Sequence, residues 1–138
     1  VGRLHPMKRI LETIVALRKL NRSDWHLTIV GTLTKEIPFK TLRQAVGPSW
    51  GGQVEYIGEL QRAQLGPIYA MSDALVLFSH RENFGYAVGE AMCAGLPVAI
   101  TDGVDLHTLV ARSNCGLVRA IRTENDIAGA LNALLDLS

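Results

Sequence analysis

The 138-residue sequence is poor in the residues that build metal and disulfide sites. It contains two cysteines and four histidines, and Cys93 and Cys115 share no metal-ligand spacing with each other or with a histidine. No His-x-x-x-His pair occurs, which argues against zinc. No Asp-x-Asp pair occurs either, so the usual arrangement for a metal-bound diphosphate is missing. We therefore expect no metal and no resident cofactor, and we expect both cysteines to be buried free thiols.

Charge and hydrophobic runs exclude two further classes of protein. Fourteen basic and thirteen acidic side chains give a net charge of +1, which is too little to indicate nucleic acid binding. No apolar run is long enough to span a membrane, and neither end carries a signal peptide, so we expect a cytoplasmic setting. With 48% hydrophobic residues, the chain can bury one core, and residues 1–138 are expected to form a single domain.

Short apolar runs alternate with helical patterns along the whole chain. Repeated βα units of this kind predict an α/β fold with a parallel, doubly wound sheet. Thr123 and Asp126 fit a capping box at the start of the last helix. The predicted helices are 7–20, 37–46, 65–71, one from about 85, 104–111 and one from 123, and the predicted strands are 26–30, 54–57, 74–78, 98–100 and 117–118.

The segment from Arg81 to Ala91 places two carboxylates at a strand-to-helix junction. Glu82 and Glu90 have seven residues between them, and open α/β sheets bind ligands at such junctions. If the helix begins near Gly85, both carboxylates point toward its N-terminus, where free N–H groups suit a phosphate. Two carboxylates would repel a phosphate, so their own hydrogen-bond partners are expected to be neutral donors. Sugar hydroxyls are such donors. Two glutamates without any ligand fit the pattern alone about equally well.

A basic loop opens the chain. Arg3 and Lys8 flank a turn that contains Gly2 and leads into a helix. An arginine fork and a lysine charge together suit a diphosphate. Two ordinary surface cations would explain the same two residues.

Taken together, these motifs resemble the retaining glycosyltransferases of family 4. They occur in the family's order over essentially all 138 residues. The resemblance is to the second, nucleotide-sugar-binding half of a two-domain enzyme, which implies a Rossmann-like domain, the C-terminal half of a GT-B fold. The matching segments are Gly2-Arg3-Leu4 with Lys8, Ile29-Val30-Gly31, Ser72-Asp73-Ala74, Ser79 with Glu82, Phe84 and Gly85, Glu90-Ala91-Met92, and Ala94-Gly95-Leu96-Pro97-Val98.

The resemblance implies a role for each candidate residue. Arg3 and Lys8 would contact the donor diphosphate and stabilise its charge as it leaves, Glu82 would orient the transferred sugar, and Glu90 would contact the nucleotide ribose. Arg3, Lys8 and Glu82 are thus the expected catalytic residues. The remaining donor contacts are expected from the backbone N–H groups of Phe84, Gly85 and Tyr86, and from Gly31 and the segment around Ile57 and Gly58 near the base.

The function implied is metal-independent transfer of a hexose-type sugar from a nucleoside diphosphate sugar to an acceptor hydroxyl. The acceptor would bind mainly to a missing N-terminal domain, and the expected first strand looks clipped at Val1, so the chain is expected to be a fragment. The full-length enzyme could associate with a membrane. Two alternatives stay open: a noncatalytic nucleotide-binding or regulatory module, and a nucleotide-sugar epimerase-like domain.

The sequence departs from the family pattern at two places. Arg9 stands where many relatives have glycine after the lysine, so this loop is expected to be looser or to carry an extra charge. The segment 101–107 lacks a Pro-Glu pair that relatives often have, and Asp105 is given no role. Both departures bear on the identity of the donor sugar.

Overall fold

Five parallel strands form the centre of the fold in the computed structural model, which describes residues 1–137. The strands are β1 (Leu27–Val30), β2 (Val54–Gly58), β3 (Leu75–Leu77), β4 (Val98–Thr101) and β5 (Gly116–Arg119). They form two sheets, one of β1 with β2 and one in the order β3-β4-β5. The helices are α1 (Ile10–Lys19), α2 (Phe39–Val46), α3 (Leu65–Ala70), α4 (Tyr86–Cys93), α5 (His107–Ser113) and α6 (Glu124–Leu135), with short 3-10 turns at Pro6–Lys8, Gly47–Ser49 and Arg62–Gln64.

Helices cover the strands on both faces. β4 is buried at every position, which is typical of a strand that has helices on either side. Its Ala99 packs with α1, α2 and α6, whereas Val98 and Ile100 pack with α3, α4 and α5. Alternate residues of a strand point to opposite faces, so the apolar run of β4 supplies two cores. The predicted α/β, doubly wound, Rossmann-like class is confirmed.

A cavity of about 340 Å³ with apolar and polar walls lies where the two sheets approach each other. Residues of β1 and β3 line it, together with side chains from α1, α3 and α6. Among the described residues, β1 pairs with β2 alone and β3 with β4 alone, so the two strands that face this cavity are sheet edges. The segment before the first 3-10 turn runs beside the end of β1, because Gly2 N–H donates to the Val30 carbonyl (2.8 Å) and Leu4 N–H to the Thr32 carbonyl (2.9 Å).

Three predicted helix starts differ from the structure. The second helix begins at Phe39 instead of 37, because Pro38 is its extended N-cap and a proline disfavours helical backbone at the residue before it. The first helix is broken at Arg9, whose φ of 50° is left-handed. The fifth helix begins at His107 instead of 104, because the backbone before it pairs with Glu82. The Glu82 N–H donates to the Gly103 carbonyl (2.9 Å), and the Asp105 N–H donates to the Glu82 carbonyl (3.1 Å).

The prediction of two buried thiols is wrong for Cys93, which is exposed, whereas Cys115 is partly buried. The inner face of α4 carries Val88 and Ala91. Cys93 follows Ala91 by two residues, about 200° around the helix, and therefore lies on the opposite face.

Candidate functional site

The two candidate residues Lys8 and Glu82 form an ion pair. The Lys8 Nζ donates to Glu82 Oε2 over 2.7 Å, and each side chain keeps about a quarter of its surface exposed. The Ser79 hydroxyl donates to the same oxygen over 3.3 Å. A Cβ at Gly2 would lie 3.6 Å from the Lys8 ammonium, so this lysine lies against the opening loop. The structure thus brings together a cation and a carboxylate that the sequence predicts for different parts of one ligand.

The N-terminus of α4 lies beside this pair. Gly85 is its N-cap, with a φ of 74°, and it provides no side-chain cap. A Cβ at Gly85 would lie 3.1 Å from Val104 and 3.6 Å from Glu82 Cγ, so glycine suits both the dihedral and the close packing. Phe84 and Tyr86 are exposed, with ring centroids 5.0 Å apart. The positive end of the α4 dipole therefore faces outward next to Lys8 and Glu82.

The second carboxylate, Glu90, is held from two sides. The Tyr69 hydroxyl donates to Glu90 Oε2 over 2.9 Å, and the Arg62 Nε lies 3.4 Å from Oε1. Burial in the first place, and the Glu90 carboxylate in the second, raise the pKa of the Tyr69 hydroxyl, so it stays a donor. The Glu90 side chain is one-quarter exposed.

Gly31 is a position that the backbone geometry reserves for glycine. A Cβ there would lie 1.7 Å from the Gly2 carbonyl oxygen, and its φ is 155°. The Gly31 N–H donates to the Gly58 carbonyl (2.8 Å), and the Tyr56 hydroxyl donates to the Gly31 carbonyl (2.8 Å). The opening loop therefore crosses the carboxyl end of β1 in close contact.

A cavity of about 400 Å³ opens at this crossing. Three of the predicted donor residues line it: Arg3, Gly31 and Glu90. Five other predicted donor residues lie outside its lining. They belong to the adjacent opening between the opening loop (residues 2–8) and the N-terminus of α4, called the mouth below, and are Lys8, Glu82, Phe84, Gly85 and Tyr86. Ile57 is two-fifths exposed on β2 and does not line the cavity. Its predicted place near a base stays a prediction.

Sequence reasoning missed several residues of this site. Glu59, Leu60 and Arg62 line the cavity just beyond β2, and the position after a strand's carboxyl end is a signal that could have found them. Tyr69 also belongs to this site, because its hydroxyl donates to Glu90. Its ring is buried in the core, but no motif shows that its hydroxyl reaches Glu90, which is 21 residues away.

Arg9 connects three segments behind the mouth. Its guanidinium donates to the Phe78 carbonyl (3.0 Å) and the Ile121 carbonyl (3.2 Å), and lies 2.9 Å from His80 Nδ1. The backbone N–H of His80 donates in turn to the Met7 carbonyl (2.8 Å). The extra charge that the sequence suggests at this position therefore makes hydrogen bonds within the protein, and these bonds fix the loop at several points.

Residues 1–137 contain no group of three or more histidine, cysteine, aspartate or glutamate side chains placed to hold a metal ion. Over the same residues, every helix is too short or too polar to cross a bilayer.

Comparison with known proteins gives a family match over the full length. Residues 1–138 match the family described as "Glycosyl transferases group 1". A glycogen synthase of Mycobacterium tuberculosis is 31% identical over 138 residues, which cover 99% of this chain and 33% of that protein. The chain thus spans about a third of the length of this curated relative.

Solved structures share the fold. The C-terminal domain of the group 1 family glycosyl transferase LpcC from Francisella tularensis gives a TM-score of 0.77 at 25% identity, with 99% of this chain and 73% of that chain covered. Anabaena HepE, solved in complex with UDP, gives a TM-score of 0.80 at 23% identity, with 98% and 38% covered. The expected fold, the C-terminal half of a GT-B fold, is confirmed.

Proposed function

The chain belongs to the group 1 glycosyl transferases, and we propose that it is the donor-binding domain of a retaining, family 4 type enzyme. In this proposal it holds a nucleoside diphosphate sugar while a hexose-type sugar passes to an acceptor hydroxyl. The UDP found in the complex of HepE supports a nucleotide donor. Because the chain spans about a third of its relative's length, the acceptor site is assigned to a separate N-terminal domain, and a cytoplasmic setting is part of the proposal.

The observation that carries the proposal is the arrangement of charges around one cavity. Arg3 and Glu90 line a cavity of about 400 Å³, which is large enough for part of a nucleotide. Lys8 and Glu82 form their pair at the adjacent mouth. A nucleoside placed in the cavity would put its ribose at Glu90 and its diphosphate toward Lys8 and the N-terminus of α4.

The Lys8–Glu82 pair explains how a carboxylate can lie beside an anionic donor. A bare Glu82 would repel the diphosphate, but at 2.7 Å the lysine compensates its charge. When the bond between sugar C1 and the diphosphate oxygen breaks, the diphosphate gains charge. Lys8 and the α4 amides are placed to stabilise that charge, while Glu82 accepts from the sugar hydroxyls and orients the ring.

We further propose that the donor binds without a metal. Arg3, Lys8 and the N-terminus of α4 are the groups available to offset the diphosphate charge. Arginine and lysine side chains bind phosphates directly, and helix N-termini do so through backbone N–H groups.

Titration calorimetry with UDP, GDP, ADP and their glucose conjugates, in the presence of EDTA, tests the proposal. We expect one nucleoside diphosphate to bind with chelator present, more weakly as salt is added. The chain alone should transfer no sugar. Glu82→Gln should spare the nucleoside diphosphate and weaken the sugar conjugate about tenfold, because a charged hydrogen-bond acceptor is lost.

Lys8→Met isolates the charge. It should weaken the diphosphate strongly, since Glu82 is then left uncompensated, and Lys8→Met with Glu82→Gln should recover part of the loss. Lys19→Met is the matched control, because Lys19 forms an exposed pair with Glu124. Equal effects of the two lysine variants, or binding that requires magnesium, would contradict the assignment.

A further inference from the structure

The two oxygens of Glu90 have different surroundings. Oε2 accepts from the Tyr69 hydroxyl at 2.9 Å, whereas Oε1 lies 3.4 Å from the Arg62 Nε. Tyr69 is 6% exposed, but the Arg62 side chain is 83% exposed. One oxygen is therefore fixed by the core of the protein, and the other is in contact with a side chain that solvent surrounds.

The hydroxyl of Tyr69 is held in place by the packing of its ring. Tyr69 lies on α3 and packs in the core with Leu65, Val88 and Leu96. A buried phenol needs a hydrogen-bond partner, and Glu90 supplies it. Burial, together with the carboxylate, raises the pKa of Tyr69, so the proton stays on the phenol and the interaction keeps one direction.

Tyr69 is absent from the lining of the 400 Å³ cavity, whereas Glu90 and Arg62 belong to it. The phenol therefore has no direct access to a ligand there and can act only through the carboxylate. A free glutamate side chain samples many rotamers, and ordering it on binding would cost affinity. A carboxylate that is anchored at one oxygen has already lost most of that freedom.

We propose that Tyr69 is a positioning residue for nucleotide recognition. It fixes the Glu90 carboxylate so that Oε1 accepts from a ribose hydroxyl, and this hydroxyl takes the place of the exposed Arg62 side chain. The inference rests on the proposed function, since it assumes that a nucleotide occupies the cavity. It adds a residue that never touches the donor and yet determines the preference for a ribose with its hydroxyls.

Tyr69→Phe removes one oxygen atom and leaves the packed ring. The probe pair is whichever of UDP, GDP and ADP binds best and its 2′,3′-dideoxy counterpart, each titrated into the chain and the variant. We expect the wild-type chain to prefer the ribose form. Tyr69→Phe should reduce this preference about tenfold and leave the affinity for the dideoxy form unchanged. A purely structural role of the hydroxyl would weaken both probes equally and would overturn the proposal.

Three further variants sharpen the test. With Glu90→Ala as background, Tyr69→Phe should have no further effect on the preference. Tyr56→Phe, which loses the hydroxyl bonded to the Gly31 carbonyl on the cavity wall, should not change the ratio of the two affinities. Arg62→Ala should keep the ribose preference. If Arg62→Ala abolishes the preference, Arg62 holds the carboxylate and the proposal fails. This variant can be measured even if Tyr69→Phe is too unstable to assay.

Failure of the inference can be told apart from failure of the proposed function. A wild-type chain that binds none of the three nucleoside diphosphates contradicts both. A wild-type chain that binds one of them and prefers the ribose form, while Tyr69→Phe shows the same preference, leaves the donor-binding function standing and removes the role of Tyr69.

Discussion

Arg9 is a residue whose backbone and side chain oppose each other energetically. Its φ of 50° is left-handed, which costs a residue with a Cβ about 1–2 kcal/mol. Its guanidinium contacts the Phe78 and Ile121 carbonyls and His80. Hydrogen bonds from a charged group contribute about 1.5–3 kcal/mol each when partly buried. The contacts thus outweigh the backbone cost, which explains how an arginine can occupy a position where glycine fits the dihedral better.

This balance predicts an unusual order of stabilities at position 9. Arg9→Ala should be the least stable variant, because it keeps the left-handed Cβ and loses every side-chain contact. The free energy of unfolding of Arg9→Gly should be about 1 kcal/mol higher than that of Arg9→Ala, since glycine removes the dihedral cost. Urea denaturation of the wild type and both variants measures the difference. Equal midpoints for alanine and glycine would mean that the left-handed backbone carries no cost here.

Contacts of this kind mark the limit of sequence reasoning at the residue scale. The spacing of Glu82 and Glu90 and the basic loop could be read directly, because each lies within one short segment. The Lys8–Glu82 contact joins residues 74 positions apart, and the Arg9 contact with Ile121 spans 112 positions. Local spacing carries no information on such pairs, so the sequence suggested the candidates but not their partners.

At the scale of elements, the starts of α4 and α6 differ in a way that matches their roles. α6 is capped by its own side chains, because Thr123 Oγ1 accepts from the Asp126 N–H and the Asp126 carboxylate accepts from the Thr123 N–H. α4 has Gly85 as its N-cap and therefore no side-chain cap. The first N–H groups of α6 therefore have local side-chain acceptors. Those of α4 lie beside Lys8, where an anion can accept their hydrogen bonds.

The capping box of α6 gives a prediction for stability alone. Thr123→Ala should lower the free energy of unfolding by about 1 kcal/mol, because the first turn loses its hydrogen-bond acceptor. Thr123→Ser keeps the hydroxyl and should remain within a few tenths of a kcal/mol of the wild type. Thermal and urea unfolding of the three chains compare them. Nucleotide affinity should be the same for all three, and a loss of affinity in Thr123→Ala would contradict the separation of the two helix ends.

Element boundaries show which signals the sequence holds. The capping box at Thr123 and the start of α4 next to Gly85 were predicted correctly, because each is encoded by neighbouring residues. The start of α5 was predicted three residues early. The predicted helix starts at Val104, but the backbone of 103–105 is bonded to Glu82. A tertiary pairing overrides a local pattern here, and only the three-dimensional arrangement reveals it.

At the scale of the whole molecule, the opening segment (residues 1–8) connects the end of β1 to the site. The N–H groups of Gly2 and Leu4 donate to the Val30 and Thr32 carbonyls at the end of β1. Gly2 lies beside Lys8, and Val1 lines both cavities. The α-amino group of Val1 is buried there. Burial first, and the charge of Lys8 second, lower its pKa from 8.0 to about 6. In the polypeptide that starts at Val1, a charge at this point is therefore unfavourable for folding.

The consequence is a pH dependence of stability between about pH 6 and pH 8 for the polypeptide that starts at Val1. In this window the unfolded chain binds a proton at the α-amino group and the folded chain does not, so the free energy of unfolding rises with pH. A pKa difference of two units changes the free energy of unfolding by roughly 2–3 kcal/mol. This contribution to stability is present in full above pH 8 and lost below pH 6. Urea midpoints measured from pH 5.5 to 8.5 should show this rise. The same chain acetylated at Val1 keeps all four histidines but has no titrating amine, so its profile should lack this contribution, and parallel profiles for the two chains would contradict the buried charge.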